Sequence, residues 1–284
     1  MQSADTIHRY AIGDPGRAAE EVGAGTASPE TGRSDVTASA VDVLGLTIRA
    51  ASVRGVLHRH YGVPRQDSYS ASWQEDSESV VVVVCDGVGS LEMSHDAADH
   101  VAGRVADVLR RDENGDPGWV RAFTTLSAEL TELAATRGEM ATTVVAARVT
   151  AANGAFRAEI GWVGDSAAYL LSPEGWQIVG GSVKTVDADA EPLVSTTRAL
   201  PGRVVEAGSN VVEFDWDTVL FLMTDGVADP LGTGAGEVGE TLASWWAAPP
   251  DPFTFAAQVG FARRSFDDDR TVVGVWPTSQ QAGE

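Results

Sequence analysis

The sequence predicts an α+β domain with mostly antiparallel sheets. Three observations carry this. Apolar, β-branched runs of strand length recur along most of the chain, such as Val80-Val81-Val82-Val83-Val84-Cys85 and Val219-Leu220-Phe221-Leu222-Met223. The helical patterns are grouped between series of consecutive strands instead of alternating with them one by one. Several apolar runs also border an acidic corner: Asp86-Gly87-Val88-Gly89, Gly164-Asp165-Ser166, Thr224-Asp225-Gly226, and Asp267-Asp268-Asp269-Arg270 just ahead of Thr271. Such corners hold carboxylates in fixed places at the rim of a sheet, and a following glycine lets the backbone turn sharply beside a ligand.

Residues 1–43 are rich in Ala, Gly, Ser, Thr and Glu with no sustained period, and read as a mostly disordered leader. The folded domain is expected over 44–278, with a short tail at 279–284. Strands are expected at 48–53, 69–73 and 80–85. Two apolar stripes at helical spacing follow, Ala97, Val101, Val105, Val108 and Leu109, then Trp119, Phe123, Leu126, Leu130 and Leu133. Further strands fall at 142–149, 156–162 and 168–171. A Pro173-Glu174-Gly175 turn leads into another at 176–179. The last strands are 210–214, 218–223 and 271–276, with late helices at 238–246 and 253–265. There is no internal repeat.

The chain has 284 residues, 41 acids against 20 bases, and a net charge of -21. A field of that sign repels nucleic acid and anionic membranes. The single cysteine, Cys85, excludes an intramolecular disulfide and fits a reducing compartment. It lies inside the valine run, where it reads as a small buried hydrophobe. No apolar stretch reaches the length of a membrane span, and no basic-then-apolar signal opens the chain, so the expected location is the cytoplasm.

The corners gather oxygen donors, and most of them have no basic neighbour in sequence. That donor set suits hard divalent cations such as Mg²⁺ and Mn²⁺. Other metal readings fit less well. Asp112-Glu113-Asn114-Gly115-Asp116-Pro117 starts like a calcium loop, but Pro117 stands where glycine is needed and Phe123 where the bidentate glutamate is needed. The five histidines show no zinc spacing.

Taken in order, the motifs resemble the metal-dependent protein phosphatases of the 2C type. The resemblance runs from about Leu46 to about Trp276. Gly55…His58…Arg65-Gln66-Asp67 is similar to the family's opening motif. Asp86-Gly87-Val88-Gly89 resembles its Asp-Gly-x-Gly core, and Met140-Ala141-Thr142-Thr143 its Gly-Thr-Thr segment. Gly164-Asp165-Ser166, Thr224-Asp225-Gly226-Val227 and Asp268-Asp269-Arg270-Thr271 resemble the later motifs. The resemblance implies a four-layer sandwich, two mostly antiparallel sheets flanked by helix pairs, with metals at one end. It implies hydrolysis of phosphoserine and phosphothreonine by metal-activated water, with two Mn²⁺ or Mg²⁺ ions and a third, weaker ion in bacterial members. Asp86 would bridge both ions, the Gly87 carbonyl would add a ligand, and Asp225 and Asp268 would complete one ion. Asp67 would act directly or through water, and Asp165 would hold the third ion with Asp225. The implied partners are phosphoprotein substrates and a cognate Ser/Thr kinase.

The chain departs from the family in substrate handling. His58 stands near the place of the usual phosphate-binding arginine, with Arg54, Arg59 and Arg65 nearby. Phosphate capture falls to one of these arginines, to His58, or to the metals alone. Val88 stands where eukaryotic-type members carry a proposed acid histidine. Ala167 replaces the arginine after Gly-Asp-Ser, and Thr185-Val186-Asp187-Ala188-Asp189 replaces Thr-x-Asp-His-Ser. A complete set of metal acids favours an active enzyme. The alternative is a weakly catalytic pseudophosphatase that binds a kinase or phosphoprotein. The leader is expected to be dispensable for stability and turnover.

Overall fold

Strands of this chain pair into two antiparallel sheets packed face to face, and helices cover the outer face of each. A computed structural model describes residues 10–15, 33–110, 118–152, 154–182, 198–202 and 204–278. In chain order the elements are β1 (Val36–Val43), β2 (Leu46–Val53), α1 (Val56–Tyr61), β3 (Ser68–Gln74), β4 (Ser79–Cys85), α2 (Ser94–Arg110) and α3 (Trp119–Arg137). Next come β5 (Val144–Ala152), β6 (Ala155–Val163), β7 (Ala167–Ser172), β8 (Gly175–Gly180), β9 (Gly208–Phe214) and β10 (Val219–Met223). The chain closes with α4 (Asp225–Leu231), α5 (Glu237–Trp246), α6 (Pro252–Val259) and β11 (Arg270–Pro277). One sheet has the order β1-β2-β11-β10-β7-β8 and the other β3-β4-β5-β6-β9.

Three apolar layers hold the sandwich together. Between the sheets lie Ile48, Val82, Val84, Val145, Ile160, Leu220, Leu222 and Val273. The stripes of α2 and α3 pack on the second sheet through Val101, Val105, Phe123, Leu126 and Leu130. On the opposite face Phe221, Trp246, Phe255 and Trp276 join α4, α5 and α6 to the first sheet. Strand β4 is central and buried along its whole length, which is why it reads as an unbroken valine run and not as an alternation. Among the described residues no helix is long and apolar enough to cross a membrane.

The leader is corrected in two places. Residues 36–43 are not disordered: they form β1, which pairs with β2 from Val36↔Val53 to Val43↔Leu46. This is an edge strand of small, mostly exposed residues, held by backbone hydrogen bonds that composition does not reveal. Residues 10–14 also dock. The Ala262 N–H donates to the Tyr10 carbonyl at 2.8 Å and the Ile12 N–H to the Ala262 carbonyl at 3.1 Å. Ile12 is then buried in the layer beneath α5 and α6. The folded unit therefore begins before residue 44.

Three smaller differences have local causes. Helix α6 stops at Val259, because 262–264 turn to pair with the 10–14 segment. The corner at Asp225 opens helix α4 behind an extended Thr224 and is no simple turn. Thr142 lies outside β5 and instead bridges Gly87 and Leu200. The calcium-like stretch at 112–117 and the segment 185–189 lie outside the described residues.

Candidate metal centre

All the acidic corners come to one end of the sandwich. Asp86 follows β4, Asp165 lies between β6 and β7, and Asp225 follows β10. Asp67 directly precedes β3, and Asp268 lies just ahead of β11. Carboxylate oxygens of Asp86, Asp165 and Asp225 lie within 4.8 Å of one another. A second group at the same spacing joins His58, Asp268 and Asp269.

Backbone locks hold these loops together. The Thr143 N–H donates to the Asp86 carbonyl at 2.8 Å, and the Thr142 hydroxyl to the same carbonyl at 2.9 Å. Thr143 Oγ1 lies 2.7 Å from Ser166 Oγ, which ties the Asp86 and Asp165 corners to each other. The threonine pair is therefore scaffolding for two acids. Glycines admit the 267–269 loop where it crosses its neighbours. A Cβ on Gly226 would lie 2.0 Å from the Asp269 carbonyl, and one on Gly55 would lie 2.4 Å from the Asp268 carbonyl carbon.

Asp67 is buried, and its Oδ2 accepts hydrogen bonds from the Thr224 and Thr271 hydroxyls, each at 2.8 Å. Burial first, then the charges of Asp269 and Asp268, push its carboxyl up to about 8 against the threonine bonds. Burial also raises Asp86 well above the ordinary carboxylate range, followed by the charges of Asp67, Asp225, Asp268 and Asp165. Asp268 is raised by burial and then by Asp225 and Asp269. These acids face one another, and a hard divalent cation is what such an all-oxygen set fits. The Mg²⁺ or Mn²⁺ expectation thus matches the donors present.

The shifts have a sign that can be measured. Between its ordinary value of 3.8 and about 8, folded Asp67 keeps a proton that the unfolded chain has lost. This contribution to stability is full at the acid end and is lost as pH rises toward 8. Metal-free protein is expected to melt at progressively lower temperature from about pH 5 to about pH 8. Saturating Mn²⁺ should flatten that slope, because the cation takes the place of the proton. Thermal melts across this range check both slopes.

Asp269 is a site residue that motif reading passed over in favour of Asp268. It is 2% exposed. Its carboxylate accepts the Gly55 N–H at 2.6 Å and the Gln66 N–H at 2.5 Å, and it lies 2.9 Å from His58 Nδ1. It ties the opening motif to the closing one. One signal was available in the sequence: the acid run 267–269 leads straight into a strand, so one of its members has to face inward. The three expected phosphate binders separate. His58 faces the acids, with Nε2 3.8 Å from Asp268. Burial lowers its imidazole, and the hydrogen bond and charge of Asp269 outweigh this, so the net shift is upward. Arg65 is buried and donates to the Ser34 carbonyl and the Thr37 hydroxyl, within reach of the charges of Asp67 and Asp269. Arg59 lines an apolar cavity of about 360 Å³ with Phe253, Phe266 and Arg270.

The same assembly of loops and sheets occurs in known proteins. The family model for protein phosphatase 2C matches residues 54–253. The catalytic domain of the serine threonine protein phosphatase PstP, in complex with 2 manganese ions, is 21% identical with a TM-score of 0.58, over 82% of this chain and 98% of that one. The Mycobacterium tuberculosis serine/threonine phosphatase PstP/Ppp is 21% identical with a TM-score of 0.54, over 82% and 99%. The S. agalactiae serine/threonine phosphatase is 15% identical with a TM-score of 0.60, over 85% and 99%. At these identities the solved structures speak for the fold. The comparison with curated proteins gives no match. The family model spans most of the chain and takes in the Asp67, Asp86, Asp165 and Asp225 corners, and on that ground the chain belongs to the protein phosphatase 2C family of serine/threonine phosphatases.

Proposed function

We propose that this chain is an active Mn²⁺- or Mg²⁺-dependent phosphatase of phosphoserine and phosphothreonine proteins, with the acids at the end of the sandwich as its metal centre. The observation that carries the reading is the convergence of Asp86, Asp165 and Asp225 within 4.8 Å, beside Asp67 and Asp268. Asp86, the Gly87 carbonyl, Asp225 and Asp268 would hold two ions, and Asp165 with Asp225 would take a third. Two such ions supply a lowered water pKa and charge neutralisation of the phosphoryl oxygens. Asp67, fixed by Thr224 and Thr271, reaches the centre directly or through water. Asp269 lies 2.9 Å from His58 Nδ1 as its ion-pair partner, and Nε2, 3.8 Å from Asp268, would offer a donor to the substrate phosphate. Arg65 takes no part in phosphate binding in this reading, and Arg59 reaches phosphate only by leaving its cavity wall.

The catalytic unit extends from β1 to β11. The partners are phosphoproteins and the Ser/Thr kinase that makes them. Cytoplasmic placement is supported by the buried lone thiol of Cys85.

The test is phosphate release from a chromogenic monoester and from a phosphothreonine peptide. EDTA-treated protein is expected to be inactive, and added Mn²⁺ should restore turnover at least as well as Mg²⁺. Full turnover in EDTA contradicts the reading. Mn²⁺ binding without any turnover supports the pseudophosphatase instead.

A further inference from the structure

We propose that Arg33 is a positioning residue for the metal centre, one that fixes Asp67 against helix α2; this rests on the reading of the acids as metal ligands. Arg33 lies in the stretch whose composition reads as disordered, and outside the span 54–253 that the family model matches. Its side chain is nevertheless only 11% exposed. Nη2 donates to the Asp67 carbonyl at 3.0 Å. Nη1 donates to the His95 carbonyl at 3.2 Å and to the Asp99 carboxylate. A planar guanidinium can serve all three acceptors at once, which an ammonium on a flexible stem does poorly.

The contacts join two walls of the site. On one side is Asp67, whose side chain is already held by Thr224 and Thr271. On the other is the first part of α2. That part sits directly on the Asp86 corner: the Ser94 hydroxyl donates to the Val88 carbonyl at 2.7 Å, and a Cβ on Gly87 would lie 2.9 Å from the Ser94 carbonyl. Arg33 therefore sets how Asp67 stands relative to Asp86. The segment that carries it is itself seated. Buried Arg65 donates to the Ser34 carbonyl, and Arg54 pairs with Asp35 at 3.0 Å while its N–H donates to the Asp35 carbonyl at 2.7 Å. Two arginines that could have met phosphate are used to seat this strap.

Crowded carboxylates repel one another, so a ligand acid needs an outside restraint to stay in place before a cation arrives. Such outer partners of metal ligands are worth roughly ten- to hundredfold in metal affinity. The experiment is Mn²⁺ titration of the intact chain followed by electron paramagnetic resonance. Arg33→Ala is expected to weaken Mn²⁺ binding about tenfold, and Arg33→Lys to recover part of the loss. Asp99→Ala removes one anchor of the guanidinium and should weaken binding by a smaller factor in the same direction. Asp99 is 53% exposed, so this variant decides the matter if Arg33→Ala fails to fold. Wild-type Mn²⁺ affinity in folded Arg33→Ala or Asp99→Ala overturns the proposal, even if the melting temperature falls. A wild-type chain that binds no Mn²⁺ overturns both this proposal and the metal reading. One that binds Mn²⁺ but releases no phosphate contradicts only the phosphatase reading.

Discussion

Asp86→Asn abolishes phosphate release and, in the same protein, raises the melting temperature of the metal-free form. The two effects share one cause. Asp86 is half-buried within the cluster, and desolvation first, then the charges of Asp67, Asp225, Asp268 and Asp165, push its carboxyl upward. Making it neutral relieves that repulsion, so the metal-free fold gains. On the proposed function the same change also removes a metal ligand, so turnover should fall by about a thousandfold or more, the several kcal/mol that metal-centred charge stabilisation supplies. Asp225→Asn is expected to be equally inactive. Asp165→Asn should keep measurable turnover with two ions bound. Phosphate release and thermal melts of the three metal-stripped variants check this. An Asp86→Asn protein with near wild-type turnover would remove Asp86 from the centre of the account.

Deleting residues 1–43 is expected to destabilise the protein strongly, contrary to what the composition of that stretch suggests. The deletion strips β1 from β2 along its full register and removes buried Ile12 from the layer under α5 and α6. The loss of Ile12 alone is comparable to a buried Ile→Ala change, about 2–5 kcal/mol. In a chain of this size that lowers the melting temperature by roughly 5 °C or more. The deletion also removes Arg33, so the remaining fold should need more Mn²⁺. Ile12→Ala separates the two effects: it should lower the melting temperature and leave Mn²⁺ affinity intact. An unchanged melting temperature for the deletion would mean that the N-terminal contacts contribute nothing to the fold.

The sequence was most legible where one physical signal dominated. Central strands such as β4 and β10 are buried along their length, so their apolar runs mark them directly. The acid corners were legible because they recur: several carboxylates beside apolar strands together gather oxygen donors, where a single one could be a turn residue. The edge strand β1 was not legible, because it is held by backbone pairing and its small side chains face solvent. Asp269 and Arg33 were missed because their work is done through main-chain partners: Gly55 and Gln66 for one, Asp67 and His95 for the other. Such partners leave no trace in residue type. Arg65 reads as a phosphate binder by its place in the opening motif, while its burial and its bond to the Ser34 carbonyl are visible only in the fold.

If acids from separate loops form one metal centre, Mn²⁺ must stabilise the fold, and calorimetric melting of EDTA-stripped protein with and without Mn²⁺ reads this out. A cation that binds only the folded chain stabilises it by about 2.7 kcal/mol at a hundredfold excess over Kd. That corresponds to a rise of roughly 5–10 °C in a protein of this size. Such a rise is expected in the wild type and is expected to be lost in Asp86→Asn. Equal melting temperatures with and without saturating Mn²⁺ would mean that Asp67, Asp86, Asp225 and Asp268 do not form one metal centre.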